Sequence, residues 1–238
     1  MLYEAVIGHR SIMIVSAHQP AYLPWLGYLD KIARADVFVY LDTVQFERNS
    51  FINRNQIKTP QGPLWLTIPV KTKGHMSGSL RTTEIDESRP WRAKHLKSIE
   101  MNYRKATGFN EWFPKIEALL SMPESNLADY CLRQLRFWLA ELKIVTRVVR
   151  SSDLPISSLK SDLVLDLCRH LGARRYLSGP QGRDYLVEGD FRDAGIAIEY
   201  QSFKPRVYPQ LWGDFIPNLS VLDWGMNMGQ ASFLSAES

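Results

Sequence analysis

A chain of 238 residues, 45% hydrophobic and 23% charged, is ordinary globular material: long enough for a real core, short enough for one domain or one domain with an insertion. Its formal charge of +4 is a mild basic excess spread along the sequence, which suits a small anionic substrate and argues against nucleic acid, since that calls for a concentrated basic stripe. No apolar run reaches the roughly 18 residues of a membrane span, and Glu4, His9 and Arg10 interrupt the segment where a secretion signal keeps an apolar core.

Residues 1–12 read as an extension ahead of an α/β domain covering 13–238. The first strand is expected at 12–15, where Ile and Val follow one another. The loop HQPAYLP comes next, and Pro20 and Pro24 forbid a continuing ladder. Pro24 suits the first position of a helix. Leu26, Leu29, Ile32 and Ala33 then recur at helical spacing, with Lys31 and Arg34 placed to complement the helix dipole. The run VFVYL at 37–41 is a strand buried on both faces. Strand, helix and strand at this spacing make a right-handed parallel βαβ unit. Ligands of such sheets lie beyond the carboxyl ends of the strands, so His18 and Asp42 are expected to face one crevice.

Residues 43–58 are polar and carry Gln45, Asn53, Arg54 and Lys58. They read either as a loop that holds an anion or as a solvated excursion. LWLTIPV at 64–70 is a strand. Residues 71–89, rich in Lys, Gly, Ser and Thr, form a long loop, functional as a lid or mobile; His75 within it reads as exposed. A helical block follows, with helices at 91–105, 111–120 and 125–142. Its tryptophans and tyrosines are better explained by packing than by a binding box.

The α/β rhythm then resumes. Strands are expected at 145–149, 175–177 and 196–200, and helices at 162–171 and about 185–194. The loop SGPQGRDY between strand and helix brings Gly179, Gly182, Arg183 and Asp184 to a strand's carboxyl end, where free N–H groups can meet an anion. Gly-Pro-x-Gly is also plain turn chemistry. Ser220 caps a last helix, Val221–Met228. The fold class is therefore a mainly parallel, doubly wound sheet with a helical block in mid-chain.

Familiar devices are missing. There is no GxxxxGK(S/T) loop, no HExxH helix and no GxSxG elbow. The two cysteines, Cys131 and Cys168, fall in helical patterns and read as buried, reduced thiols of a cytosolic protein. No cofactor is specified, and no metal site is expected. The remaining chemistry is a catalytic pair, His18 and Asp42. Around it come Gln19, Tyr22, Gln45, Asn53, Arg54 and Lys58, and from the second half Gly179, Gly182, Arg183 and Asp184, as substrate-binding residues. A histidine facing a carboxylate serves as general base or, when protonated, stabilises developing negative charge. His18 also reads as a histidine bonded at a strand end for structure alone.

Several of these segments also match a known pattern. His18-Gln19-Pro20-x-Tyr22-Leu23-Pro24-Trp25-x-Gly27-Tyr28, Lys31-Ile32, Ala35-Asp36, Asp42-x-x-Gln45-Phe46 and Asn53-Arg54 closely resemble the WbqC-like family. So do LTIPV, LSGPQGRDYL and Phe215-Ile216-Pro217-x-Leu219-Ser220. The resemblance implies a cytoplasmic biosynthetic setting, because members are often encoded with O-antigen, lipopolysaccharide and amino-sugar genes. At the level of fold the chain also resembles nucleotidyltransferase-like enzymes with an HxGH loop, although HQPAYLPW lacks that motif's second histidine and its glycine.

Three functions follow from these residues. The first is a cytosolic transferase that moves an acyl or aminoacyl group to an amine of a small anionic or nucleotide-linked substrate. The second is a nucleotidyl or phosphoryl transferase using the same crevice. The third is a non-catalytic nucleotide or nucleic-acid binding module. A metal-dependent hydrolase built on His and Asp is the remaining reading, and the sequence is compatible with a homo-oligomer.

Overall fold

The computed structural model describes residues 12–71 and 78–229. Five parallel strands make the central sheet: β1 (Ile14–His18), β2 (Val37–Tyr40), β5 (Arg147–Arg150), β6 (Arg175–Ser178) and β7 (Ala197–Tyr200), in the order β5-β2-β1-β6-β7. Helix α1 (Leu26–Ala33) crosses from β1 to β2. From β5 the chain returns through α5 (Lys160–His170) to the other side of β1, then runs through α6 (Glu188–Asp193) to β7. The direction of winding therefore reverses between β1 and β6, as in a doubly wound sheet. Right-handed crossovers in opposite directions put α1 on one face and α5 and α6 on the other.

The pleat explains the two cores. Val15, Ala17, Val37 and Val39 face the cluster built with Leu163, Leu167 and Phe191 of α5 and α6. Phe38 and Tyr40 point the opposite way. They join a larger cluster with α1, the helical block and α7 (Val221–Met228). The block comprises α2 (Trp91–Tyr103), α3 (Phe109–Ser121) and α4 (Leu127–Glu141). Its tryptophans are packing residues: Trp112 stacks on Trp138 with centroids 5.2 Å apart. Both cysteines are buried thiols, as expected, and burial pushes Cys168 up to about 12.

The segment at 43–58 differs from expectation. Its second half is a strand, β3 (Arg54–Thr59), paired antiparallel with β4 (Gly62–Thr67). It escaped a polarity-based reading because all its buried positions except Ile57 are polar. Asn55 donates to the Leu23 carbonyl at 2.6 Å, and the Lys58 ammonium donates to Gln210 and to two loop carbonyls. Gln210 in turn donates to Asp223 of α7 at 2.9 Å, where Tyr103 and Tyr208 also converge. The hairpin is thus pinned to α2 and α7 by a buried polar network.

Smaller corrections concern boundaries. β1 runs to His18, not Val15, because its register with β2 extends to the pair His18–Tyr40 before Pro20 stops it. Ile12 precedes the strand and is exposed. Val145 likewise lies outside β5, which reaches Arg150. The expected lid at 71–89 is held where it is described: Ser79 bridges Gln45, Ile85 bridges Val70 and Glu84 bridges Asn126. Residues 72–77, including His75, and the expected extension at 1–11 lie outside the described residues.

Candidate active site

In sheets whose winding reverses, ligands bind beyond the carboxyl ends of the strands at the reversal, here β1 and β6. His18 ends β1, Ser178 ends β6, and Gly179 follows it. The histidine ring packs edge-on against Tyr28 and Trp25, at centroid distances of 4.9 and 5.7 Å. Trp25 caps α1, and Tyr28 follows one turn later. Nδ1 of His18 lies 2.9 Å from the Gln19 carbonyl. A carbonyl only accepts, so Nδ1 carries the proton and Nε2 carries a lone pair. Burial, reinforced by the nearby Lys31 charge, lowers the His18 pKa to about 3. The free imidazole is therefore neutral at physiological pH.

Lys31 was placed by sequence as a cation complementing the end of α1. It does lie in that last turn but is almost fully buried, with Nζ 3.0 Å from the Ala17 carbonyl, and burial lowers its pKa to about 7. A signal was available: Trp25, Tyr28 and Lys31 recur every three residues, on one face of α1.

An aromatic strip leads outward from His18. Trp25 meets Phe51 at 5.2 Å, and Phe51 meets Trp65 of β4 at 5.7 Å. The Arg54 guanidinium lies over Trp65 at 4.2 Å. Phe51 and Trp65 are both exposed, 41% and 39%, so the strip offers ring surface to a ligand.

The other expected site residues scatter. Asp42 ends β2 but turns toward β5. Its carboxylate, fully buried, accepts from Arg150 Nε at 2.7 Å, Ser151 Oγ at 2.9 Å, and the N–H and Oγ of Ser152 at 3.0 and 2.8 Å. Burial alone would raise its pKa; these donors outweigh that and hold it below the usual carboxylate range. Tyr22 is buried under α2, its hydroxyl 2.8 Å from His95 Nδ1. Asn53 is paired with Ile68 through backbone and side chain. Arg54 contributes through Trp65, Lys58 through the α7 network, and Gln45 through its bridge to Ser79.

The glycine-rich loop also departs from expectation. Residues Pro180–Asp184 form a 3-10 turn, and α6 starts only at Glu188. The turn consumes its own donors: the Gly182 N–H bonds the Gly179 carbonyl, and Leu186 N–H bonds Gly182. Gly182 is a packing glycine, since a Cβ there would lie 2.0 Å from Ser178 Oγ. Arg183 stacks over Tyr200 at 3.9 Å, beside a surface depression of about 600 Å³ along β7. Asp184 is exposed. Of the expected residues, His18, Gln19 and Gly179 therefore lie at or just beyond the carboxyl ends of β1 and β6.

The model of the WbqC-like protein family matches residues 19–234. The chain belongs to the WbqC-like family. It is 36% identical over 219 residues to an uncharacterized protein of Mycobacterium tuberculosis (strain ATCC 25618 / H37Rv), covering 90% of this chain and 94% of that one. No solved structure matches.

The WbqC-like chain thus brings a neutral imidazole, a buried amine and exposed aromatic rings together around the end of β1. Among the described residues no three His, Cys, Asp or Glu side chains gather as metal ligands, and no helix is long and apolar enough to cross a membrane.

Proposed function

We propose that this WbqC-like protein is a cytoplasmic transferase in surface-polysaccharide (O-antigen) or amino-sugar biosynthesis, moving an acyl or aminoacyl group to an amine of a small anionic or nucleotide-linked substrate. One observation carries the reading: His18 keeps its Nδ1 proton on the Gln19 carbonyl and so presents an unprotonated Nε2 at the switch-point crevice. The amine nitrogen attacks the acyl carbon, the leaving group departs with the bonding pair, and Nε2 takes the amine proton. Gln19 acts by fixing the tautomer. In the free protein the imidazolium is disfavoured, and an anionic substrate beside it makes the protonated state tolerable. The anionic class of substrate is thus part of the mechanism. The exposed Phe51 and Trp65 rings suit stacking with a sugar or base. Asp42 is assigned a positioning role, holding the ends of β2 and β5.

The test is transfer from activated acyl donors to amino-sugar and nucleotide-sugar amines. His18→Ala is expected to lose turnover with little change in melting temperature; full turnover in that variant refutes the assignment. Nucleotidyl transfer at the same crevice is the second reading, favoured by the β5-β2-β1-β6-β7 winding shared with nucleotide-binding sheets. Calorimetry showing no nucleotide binding, with or without magnesium, removes it.

A further inference from the structure

Lys31 is 2% exposed, yet its Nζ has one hydrogen-bond acceptor among the described residues, the Ala17 carbonyl at 3.0 Å. An ammonium has three donors. The acids on the elements packed nearby are engaged elsewhere. Asp30 of α1 pairs with Arg34 and Gln201, and Glu199 of β7 pairs with Arg34 and Arg175. Across the crevice the neighbouring titratable group is His18, which is neutral. A buried lysine without a counter-charge is costly, and an apolar side chain would fill this space at lower cost. Among the described residues nothing supplies that counter-charge.

The approach to Nζ is also built. Gly179 is partly exposed and has extended backbone, φ −69° and ψ 167°, which any residue adopts. Its glycine identity is therefore not a backbone requirement. A Cβ at this position would meet Lys31 Nζ at 3.8 Å and no other atom within 4 Å. The missing side chain leaves an opening directly in front of the amine.

We propose that Lys31, reached past Gly179, is the anchor for one oxyanion group of the ligand, a phosphate or a carboxylate, held beside His18. The proposal places a binding residue in the crevice that the proposed function reads as the substrate site, and it is testable without turnover. The anion supplies the missing counter-charge, so the amine takes up a proton as it binds. The same anion offsets the Lys31 charge that His18 experiences.

Isothermal titration at pH 8 with inorganic phosphate, pyrophosphate and acetate, in two buffers of different ionisation enthalpy, tests this. The intact protein is expected to bind at least one of these anions with net proton uptake; which of them binds separates phosphate from carboxylate recognition. Lys31→Met is expected to fold, melt no lower than the parent and bind at least ten-fold more weakly. Gly179→Val keeps the amine, fills the opening and is expected to lose binding to the same extent. It carries the test should Lys31→Met not fold. No anion bound by the intact protein, or undiminished binding by either variant, overturns the proposal. His18→Ala is expected to keep anion binding while losing turnover, so failure of the transferase reading shows separately.

Discussion

Asp42 and Arg150 form a side-chain pair across neighbouring strands, 2.7 Å between carboxylate and Nε, with the carboxylate fully buried. The same guanidinium reaches Asp129 of α4 at 2.6 Å, so one arginine ties β2, β5 and the helical block. The pair joins sheet to helices, and Ser151 and Ser152 complete the carboxylate's coordination.

Asp42→Asn is accordingly expected to destabilise the protein by about 1–3 kcal/mol, since the charge-assisted bonds to a buried carboxylate are lost while Arg150 keeps Asp129. Urea unfolding measures this. The pH dependence has a definite sign. The folded pKa of Asp42 lies below its ordinary value, so its contribution is full above about pH 4. It is lost as the pH falls through the lower folded value. The parent should therefore lose its advantage over the variant on acidification, and a difference that grows instead contradicts this account.

Gly182 and Ser178 give a second test. A methyl group at 182 would sit 2.0 Å from Ser178 Oγ. Gly182→Ala is expected to cost about 1–3 kcal/mol by overpacking. Adding Ser178→Ala removes the colliding oxygen and should recover part of that loss, a coupling read from a double-mutant cycle. Additive losses would mean that the loop yields in another way. Since the loop donates its N–H groups internally, neither change is expected to act by removing an anion cradle.

How much of this was legible in the sequence depends on where polarity and burial agree. The βαβ unit and α7 followed from apolar periodicity and caps, and the bounds Val221–Met228 match directly because Ser220 accepts from the Leu222 N–H. The hairpin strand β3 was hidden because Asn55 and Lys58 are buried by hydrogen bonding rather than by hydrophobicity. The crevice was expected between β1 and β2, neighbours in sequence. The winding reverses instead between β1 and β6, and the pairing of Val15 with Tyr176 across that reversal has no local signature. Lys31 lies in the last turn of α1 as expected, but its burial went unread, although its spacing from Trp25 and Tyr28 pointed inward.

The exposed strip of Phe51 and Trp65 predicts a split between stability and affinity. Both rings keep about two-fifths of their surface in solvent, so Trp65→Ala and Phe51→Ala should each cost about 1 kcal/mol or less in folding. If a sugar or base stacks there, each loses roughly ten-fold in ligand affinity, within the range of about 1–3 kcal/mol for a base stacked on an aromatic ring. Thermal melts beside calorimetry with nucleotide sugars separate the two. Unchanged affinity in both variants would place the ligand elsewhere.

The last prediction concerns the pH profile of His18. Its folded pKa is lowered from 6.5 to about 3, so between these values the unfolded chain binds a proton that the folded chain does not. Its contribution to stability is therefore full above pH 6.5 and falls as the pH drops toward 3. In kinetics, kcat/KM reports the free protein and kcat the bound complex. The kcat/KM profile should show no histidine inflection near 6.5, the ordinary value. An anionic substrate beside the ring raises the pKa of the bound state, so the acid limb of kcat should lie at higher pH than that of kcat/KM. Coincident limbs, or a free-protein limb near 6.5, would mean that His18 is an ordinary solvated imidazole, and the base assigned to it would have to be sought on another element of the crevice.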